Sequence, residues 1–379
     1  MAGGLYLHEF ATPSTGTASA GSHAWANDAS IAFHNPAGMT RIDGDQFMVG
    51  SMALLTTVEF EPDTSTPNSG GGGGDAGGFI PAGGAYFVHS FSDDLKLGVS
   101  LASLSGAALD YDNTWTGRYQ ALEVDVLTLY FTPSIGYKVN DWLSVSAGVS
   151  VIYAEIELDV AVPVPGLPDG RVTLDGDETE FSFNLSALIE LSKNTRLGFV
   201  YWYETEFDFS GDLSFSKLGL QVGTDTELVL PQKVEASIYH ELNNKIALMG
   251  SVGWENWSKL ENVNVSVRKG TAQLPKNWED TWHFAGGIHY RLSAPWLLQC
   301  GIAYDTSPVS SGDRTADMPV DRQLRYAVGV LHNWSEKLTI GTQLEYIDAG
   351  SANINSSNLL GEYDKNNIIV ASISFNWKW

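Results

Sequence analysis

Two kinds of connection alternate along this chain, and strand-forming sequence lies on both sides of each. Six are short polar turns: Ser92-Asp93-Asp94, Asn140-Asp141, Ser192-Lys193-Asn194, Asn243-Asn244, Ser293-Ala294-Pro295 and Asn333-Trp334-Ser335-Glu336. Seven are longer stretches rich in Gly, Pro, Asp and Asn, at 61–78, 112–122, 162–178, 211–225, 269–278, 308–322 and 349–364. Residues 70–74 are unbroken glycine, and the third stretch carries Pro163, Pro165 and Pro168. Six turns interleaved with seven loops leave fourteen strands, with both ends of the sheet on the short-turn side. Short turns on one side, long loops on the other and an even strand number mark a bacterial transmembrane β-barrel.

Lipid adds a second test, because residues facing it must alternate with residues facing the lumen. In the last strand Ile369, Ala371, Ile373, Phe375, Trp377 and Trp379 share one face, with Ser372, Ser374, Asn376 and Lys378 on the other. Trp282, Phe284, Gly286, Ile288 and Tyr290 alternate with Thr281, His283, Ala285, Gly287, His289 and Arg291. Leu143 to Val151 and Leu338 to Tyr346 repeat the pattern with Ser, Gly, Thr, Gln and Glu on the polar side. No run approaches the ~18 apolar residues of a spanning helix. An open sheet edge cannot be satisfied in hydrocarbon, so a closed barrel is the spanning form left. The alternative is a water-soluble sandwich or propeller whose apolar face turns into a core. Trp142, Trp202, Trp254, Trp257, Trp296 and Trp334 fall near strand ends, where an interfacial girdle would place them, and favour lipid.

Charge excludes one class of partner. Lys and Arg total 21 against 45 Asp and Glu, a formal net charge of -24, so no nucleic acid is expected on such a surface. Cys300 is the single cysteine, which rules out an internal disulfide framework and a Cys-based zinc site. The start, Met-Ala-Gly-Gly, has no basic or apolar leader, and an export signal is expected to have been removed already. His23 with Asp28, or His283 with Asp280, can be combined on paper with a serine. No Gly-x-Ser-x-Gly, His-Glu-x-x-His or close His pair accompanies them, so neither a catalytic residue, a metal site nor a cofactor is expected. His283 and His289 are read as polar lumen filler. Asp110, Asp112, Asp175, Asp177 and Glu178 are read as solvated loop acids, with Ca²⁺ or lipopolysaccharide bridging as the alternative.

Residues 1–43 do not read as a strand pair. Ala, Gly, Ser and Thr crowd 11–24, and Pro13 and Pro36 remove backbone donors. Leu5, Leu7, Phe10, Trp25, Ile31, Phe33 and Met39 make a solvated tail the weaker reading. A barrel of this size has room for a plug. The fold expected is all-β: a 14-stranded antiparallel transmembrane β-barrel at 44–379 with an N-terminal hatch, or plug, at 1–43 inside the lumen.

Several short segments, in order along the chain, resemble one family. They are Gly4-Leu5-Tyr6-Leu7-His8-Glu9-Phe10, Asn27-Asp28-Ala29, Asn35-Pro36-Ala37, Leu230-Pro231, Ala303-Tyr304-Asp305-Thr306-Ser307-Pro308-Val309, Arg314-Thr315, Pro319 and Asp321-Arg322. The chain from Gly4 to Trp379 is similar to the FadL/TodX family of outer-membrane long-chain fatty acid and hydrocarbon transporters. The resemblance implies that ligand is caught among the extracellular loops and passes to a pocket beside Leu5, Leu7 and Phe10. Asn35, Pro36 and Ala37 belong to the hatch and gate, and exit is lateral, through the wall where the third strand kinks. That kink is placed at Ser105 and Gly106; the alternative is that Gly106 relieves crowding against the plug. Lys276 aligns with a basic residue that binds the carboxylate, or else is a loop cation. The second basic position is occupied by acidic Glu155 and Glu157, so either another cation such as Arg118 substitutes or the ligand is less charged.

The function expected is passive uptake of hydrophobic compounds, long-chain fatty acids first, through a ligand-gated hatch and lateral diffusion. Neutral or aromatic hydrocarbons are the second reading, and a polar-solute porin or adhesin the reading from another class. The expected setting is a monomer in the bacterial outer membrane, both termini periplasmic, in contact with lipid and lipopolysaccharide.

Overall fold

The short turns are closed by their own side chains. Asn140 Oδ1 accepts from the backbone N–H groups of Trp142 and Leu143, and Asn243 Oδ1 from those of Lys245 and Ile246. Ser92 and Ser335 hydroxyls do the same for the two amides that follow at 94–95 and 337–338. Such side-chain mimics of a turn are why these residue types sit there. The computed structural model describes residues 4–103, 106–217, 219–267 and 270–379, Val267 by its backbone alone.

Fourteen spans run between the turns: β1 (Gln46–Pro62), β2 (Phe79–Ser90), β3 (Leu95–Ala102 and Gly106–Asp110), β4 (Glu123–Asn140), β5 (Leu143–Val162), β6 (Gly170–Ser192) and β7 (Thr195–Trp202 and Thr205–Phe215). The second half comprises β8 (Leu220–Leu230 and Lys233–Glu241), β9 (Ile246–Glu255 and Asn262–Val267), β10 (Gly270–Pro275 and Thr281–Ser293), β11 (Trp296–Asp305), β12 (Gln323–Asn333), β13 (Leu338–Asp348) and β14 (Leu360–Lys378). All pair antiparallel with their neighbours, and β1 closes on β14 from Gln46↔Lys378 to Pro62↔Gly361. Outward residues are apolar and inward ones small or polar: Val149 is 54% exposed and the adjoining Ser150 fully buried.

Two details depart from the sequence reading. The stretches 162–178, 211–225 and 269–278 are mostly ladder, since β5 and β6 pair up to Val162↔Gly170, β7 and β8 to Phe215↔Leu220, and β9 and β10 to Val267↔Gly270. Their Asp and Glu residues disfavour strand by composition, yet alternate with apolar residues along hairpins such as Glu155 to Asp177. Trp202 and Trp257 are not girdle residues. Trp202 has the inward parity of Val200, and the 3-10 turn Trp257–Lys259 folds Trp257 into the lumen. Trp142, Trp296 and Trp334 do face outward.

Residues 4–42 lie within the ring of strands and are buried except Asn27, Thr40 and Arg41. They form two 3-10 turns, Pro13–Thr17 and Pro36–Arg41, and two single-turn helices, Ser22–Trp25 and Ile31–His34. Small wall residues let this backbone come close. A Cβ at Gly50, Gly198 or Gly301 would stand 1.9, 1.9 and 2.0 Å from the carbonyl oxygens of Ala11, His23 and Thr17. Arg196 adds charged donors, from Nε to Ala24 O at 2.6 Å and from a terminal nitrogen to Trp25 O at 2.7 Å. Gly198→Ala is therefore expected to destabilise the plugged state by about 1–3 kcal/mol through overpacking. Planar-bilayer recordings should show higher leak conductance with the strand content by circular dichroism unchanged.

Candidate functional site

The ladder between β2 and β3 breaks off partway along the wall. Their ladder runs from Ser90↔Lys96 to Ala85↔Leu101 and stops there. Beyond it, Phe79 to Gly84 pair only with β1, and Gly106 to Asp110 only with β4. The seam closes again above, where Asp110 N–H donates to Ala76 O at 3.0 Å. Here β3 is described in two pieces, Leu95–Ala102 and Gly106–Asp110. Ser105, the other residue assigned to the kink, lies outside the described residues.

A cavity of about 340 Å³ occupies this seam. Leu54, Val58, Ile368 and Leu7 of the N-terminal segment line its inner part, and Gly106, Ala107 and Ala108 one edge. The outward-facing Leu127 and Leu129 line it as well, although they are 49% and 40% exposed on the lipid side. Inward and outward residues thus share one cavity. Asp125 is the one charged residue among its lining.

Of the residues singled out in the sequence, Leu7 and Gly106 meet at this cavity. Leu5 and Phe10 are buried in the same apolar cluster but do not line it. Phe10 sits edge-on to Phe33 at 4.8 Å, and its carbonyl accepts from Tyr86 OH at 2.6 Å. Asn35, Pro36 and Ala37 lie at the other end of the plug as fixed anchors. Asn35 Nδ2 donates to His23 O and to Ala187 O of β6, and Asn35 Oδ1 caps the following turn by accepting from Ala37 N–H.

Lys276 is not brought to the cavity. It is 3% exposed, and its ammonium donates to Asp317 at 2.5 Å and to Thr315 Oγ1 at 2.9 Å. Arg118 is equally engaged, with Asp169 at 2.8 Å and with the carbonyls of Ser69 and Trp115. The acidic pair at 155 and 157 requires a correction. Ile152, Ala154 and Ile156 are the lumen-facing residues of β5, so Glu155 and Glu157 take the outer face. They oppose no headgroup inside the barrel. The sequence reading missed the lumen charges that do surround the plug: Arg325, fully buried on β12, pairs with Glu9 and with Asp305 at 2.9 Å. Their alternating positions on inward strand faces are the one signal that points to them.

A closed fourteen-stranded barrel, filled by its own N-terminal segment, is a plugged barrel of the outer-membrane type. Residues 1–377 match the family described as outer membrane protein transport protein (OMPP1/FadL/TodX), and the chain belongs to that family. It is 26% identical to a long-chain fatty acid transport protein of Escherichia coli O6:H1, with 91% of this chain and 86% of the relative covered. It is 24% identical to outer membrane protein P1 of Haemophilus influenzae, covering 95% and 89%. Its fold is similar to that of a Pseudomonas aeruginosa FadL homologue, TM-score 0.91 at 20% identity over 99% of both chains. The Pseudomonas putida toluene transporter TodX follows at TM-score 0.77 and 16% identity, also over 99% of both.

Removing a partner from a buried ion pair leaves the other charge stranded. Arg325→Met should accordingly cost about 3–5 kcal/mol. Unfolding in detergent should show a loss far larger than that of Lys365→Met, which breaks an exposed pair with Glu59.

Proposed function

We propose that this protein is a passive outer-membrane channel for hydrophobic compounds, with residues 1–43 as hatch and 44–379 as barrel. Ligand gathers among the extracellular loops, displaces the N-terminal segment around Leu5, Leu7 and Phe10, and leaves sideways past Gly106 into lipid. The observation that carries this reading is the apolar cavity shared by Leu7, lumen residues and outward Leu127 and Leu129. Lateral exit spares an apolar solute the water layer, and each Å² kept from water is worth about 25 cal/mol. The barrel is proposed to work as a monomer among lipid and lipopolysaccharide, without a catalytic step.

The cargo has two readings. Long-chain fatty acids are suggested by the names of the curated relatives. Neutral hydrocarbons are favoured by the lining, which offers Asp125 and no cation to a headgroup, while Lys276 is held by Asp317. Uptake in cells and binding to purified protein, with oleate and with toluene, separate the two. Lys276→Ala should leave toluene handling intact, and an oleate defect confined to this variant would restore the carboxylate role.

Ala108→Trp tests the exit. Bulk added at the edge of the cavity should reduce uptake of either cargo at least about tenfold, the equivalent of 1.4 kcal/mol at the narrowest point. Undiminished uptake would sink lateral release, and a large ohmic conductance of the parent would favour a porin.

A further inference from the structure

Beside the cavity, the plug and the wall meet through an unusual group of side chains. His8 follows Leu7 directly in the N-terminal segment and is 3% exposed. Its ring stacks on that of His283 of β10 at 4.1 Å between centroids, and Asp305 of β11 closes the group. His283 Nδ1 lies 2.7 Å from Asp305 Oδ1, and His8 Nε2 lies 3.8 Å from the same oxygen. One ligand atom from each of the three falls within 4.8 Å of the others. His8 Nε2 has no hydrogen-bond partner although it is buried. A buried polar atom left unpaired calls for an explanation.

Charge balance points the same way. Five carboxylates around the plug, Glu9, Glu235, Glu255, Asp305 and Glu345, are each 5% exposed or less, against four equally buried cations, Lys96, Arg196, Lys233 and Arg325, of which Lys96 and Arg196 bond to plug carbonyls instead. Arg325 faces Glu9, Asp305 and Glu345, and Lys233 faces Glu235 and stands across the ladder from Glu255. Buried charges of one sign in excess need protons or a bound cation. His23 also faces Glu235, at 3.2 Å.

We propose that His8, His283 and Asp305 hold a divalent transition-metal ion of the zinc class, which fastens the N-terminal segment of the plug to the barrel wall. Two imidazoles and one carboxylate suit Zn²⁺ or Co²⁺ and not the hard, oxygen-seeking Ca²⁺ or Mg²⁺. Ligand atoms about 2.0–2.2 Å from such an ion stand roughly 3.3 Å apart around it. The observed 2.7 and 3.8 Å separations bracket that distance, and the His8 ring must turn out of its stack on His283 for both lone pairs to meet one ion. Of the outer contacts, Arg325 Nε donates to the other oxygen of Asp305 at 2.9 Å, as orients a metal ligand, and the Glu235 carboxylate stands 3.7 Å from the other nitrogen of His8. The ion replaces the proton shared by His283 and Asp305, so binding releases protons. The three ligands stand far apart in the sequence, at 8, 283 and 305, which is why spacing rules find no site there.

The proposal concerns how the plug is held and is tested without reference to any cargo. Full-length protein in detergent is stripped with a chelator, dialysed, and titrated with Co²⁺, followed by metal analysis and by the visible ligand-field absorption. One tightly held equivalent with intense low-coordinate absorption is expected, displaced by Zn²⁺. His8→Ala should lose it, and Glu235→Gln, which keeps all three ligands, should weaken it about 10–100-fold. His89→Ala, at an outward histidine paired with Asp45, should change nothing. Circular dichroism checks that each variant keeps its strands. A parent that retains no equivalent overturns the proposal, and so does a His8→Ala protein that still holds one.

Discussion

Hydrocarbon offers no hydrogen bonds, and the rest of this structure follows from that single constraint. Every strand must find a neighbour on both sides, so β1 is joined to β14 and the polar turns are tied off by their own Asn and Ser side chains. Where the ladder between β2 and β3 lapses, an apolar cavity lined by inward and outward residues sits in the wall. Unpaired backbone is tolerated there because it borders a protein-lined space and is bridged above by the bond from Asp110 to Ala76. An interruption of the ladder and an apolar cavity thus coincide.

Inside the barrel a different economy holds. Glycines on the wall allow carbonyl groups of the plug to approach at distances no Cβ permits, and buried ions on β8, β10, β11, β12 and β13 face the segment that carries His8 and Glu9. Leu7 is next in sequence to His8 and lies on the cavity. The far end, around Asn35, is fixed to β6 by separate bonds.

The cargo is where family and site pull apart. Curated relatives carry fatty acid transport in their names, whereas structural neighbours include toluene transporters. The lining of the cavity contributes to the question independently. It has one carboxylate and no cation, and Lys276 and Arg118 are held by Asp317 and Asp169 in the loops. The acids at 155 and 157 lie on the outer face of β5 and have no part in the choice.

Period-two alternation and turn chemistry were enough to read fourteen strands and their lipid side from the sequence, because each is a local property of a few consecutive residues. The plug segment was legible too, from small residues and prolines that no strand would carry. What a single chain position cannot reveal is which way a side chain faces once strands tilt and hairpins rise above the membrane. Trp202 and Trp257 turned inward, Glu155 and Glu157 outward, and three presumed loops continued as ladder. The sequence by itself determined a barrel and an apolar N-terminus. Only the tertiary structure decided that Leu7 and Gly106 share a cavity and that His8 meets His283 and Asp305, since those meetings depend on barrel closure bringing distant strands around one lumen.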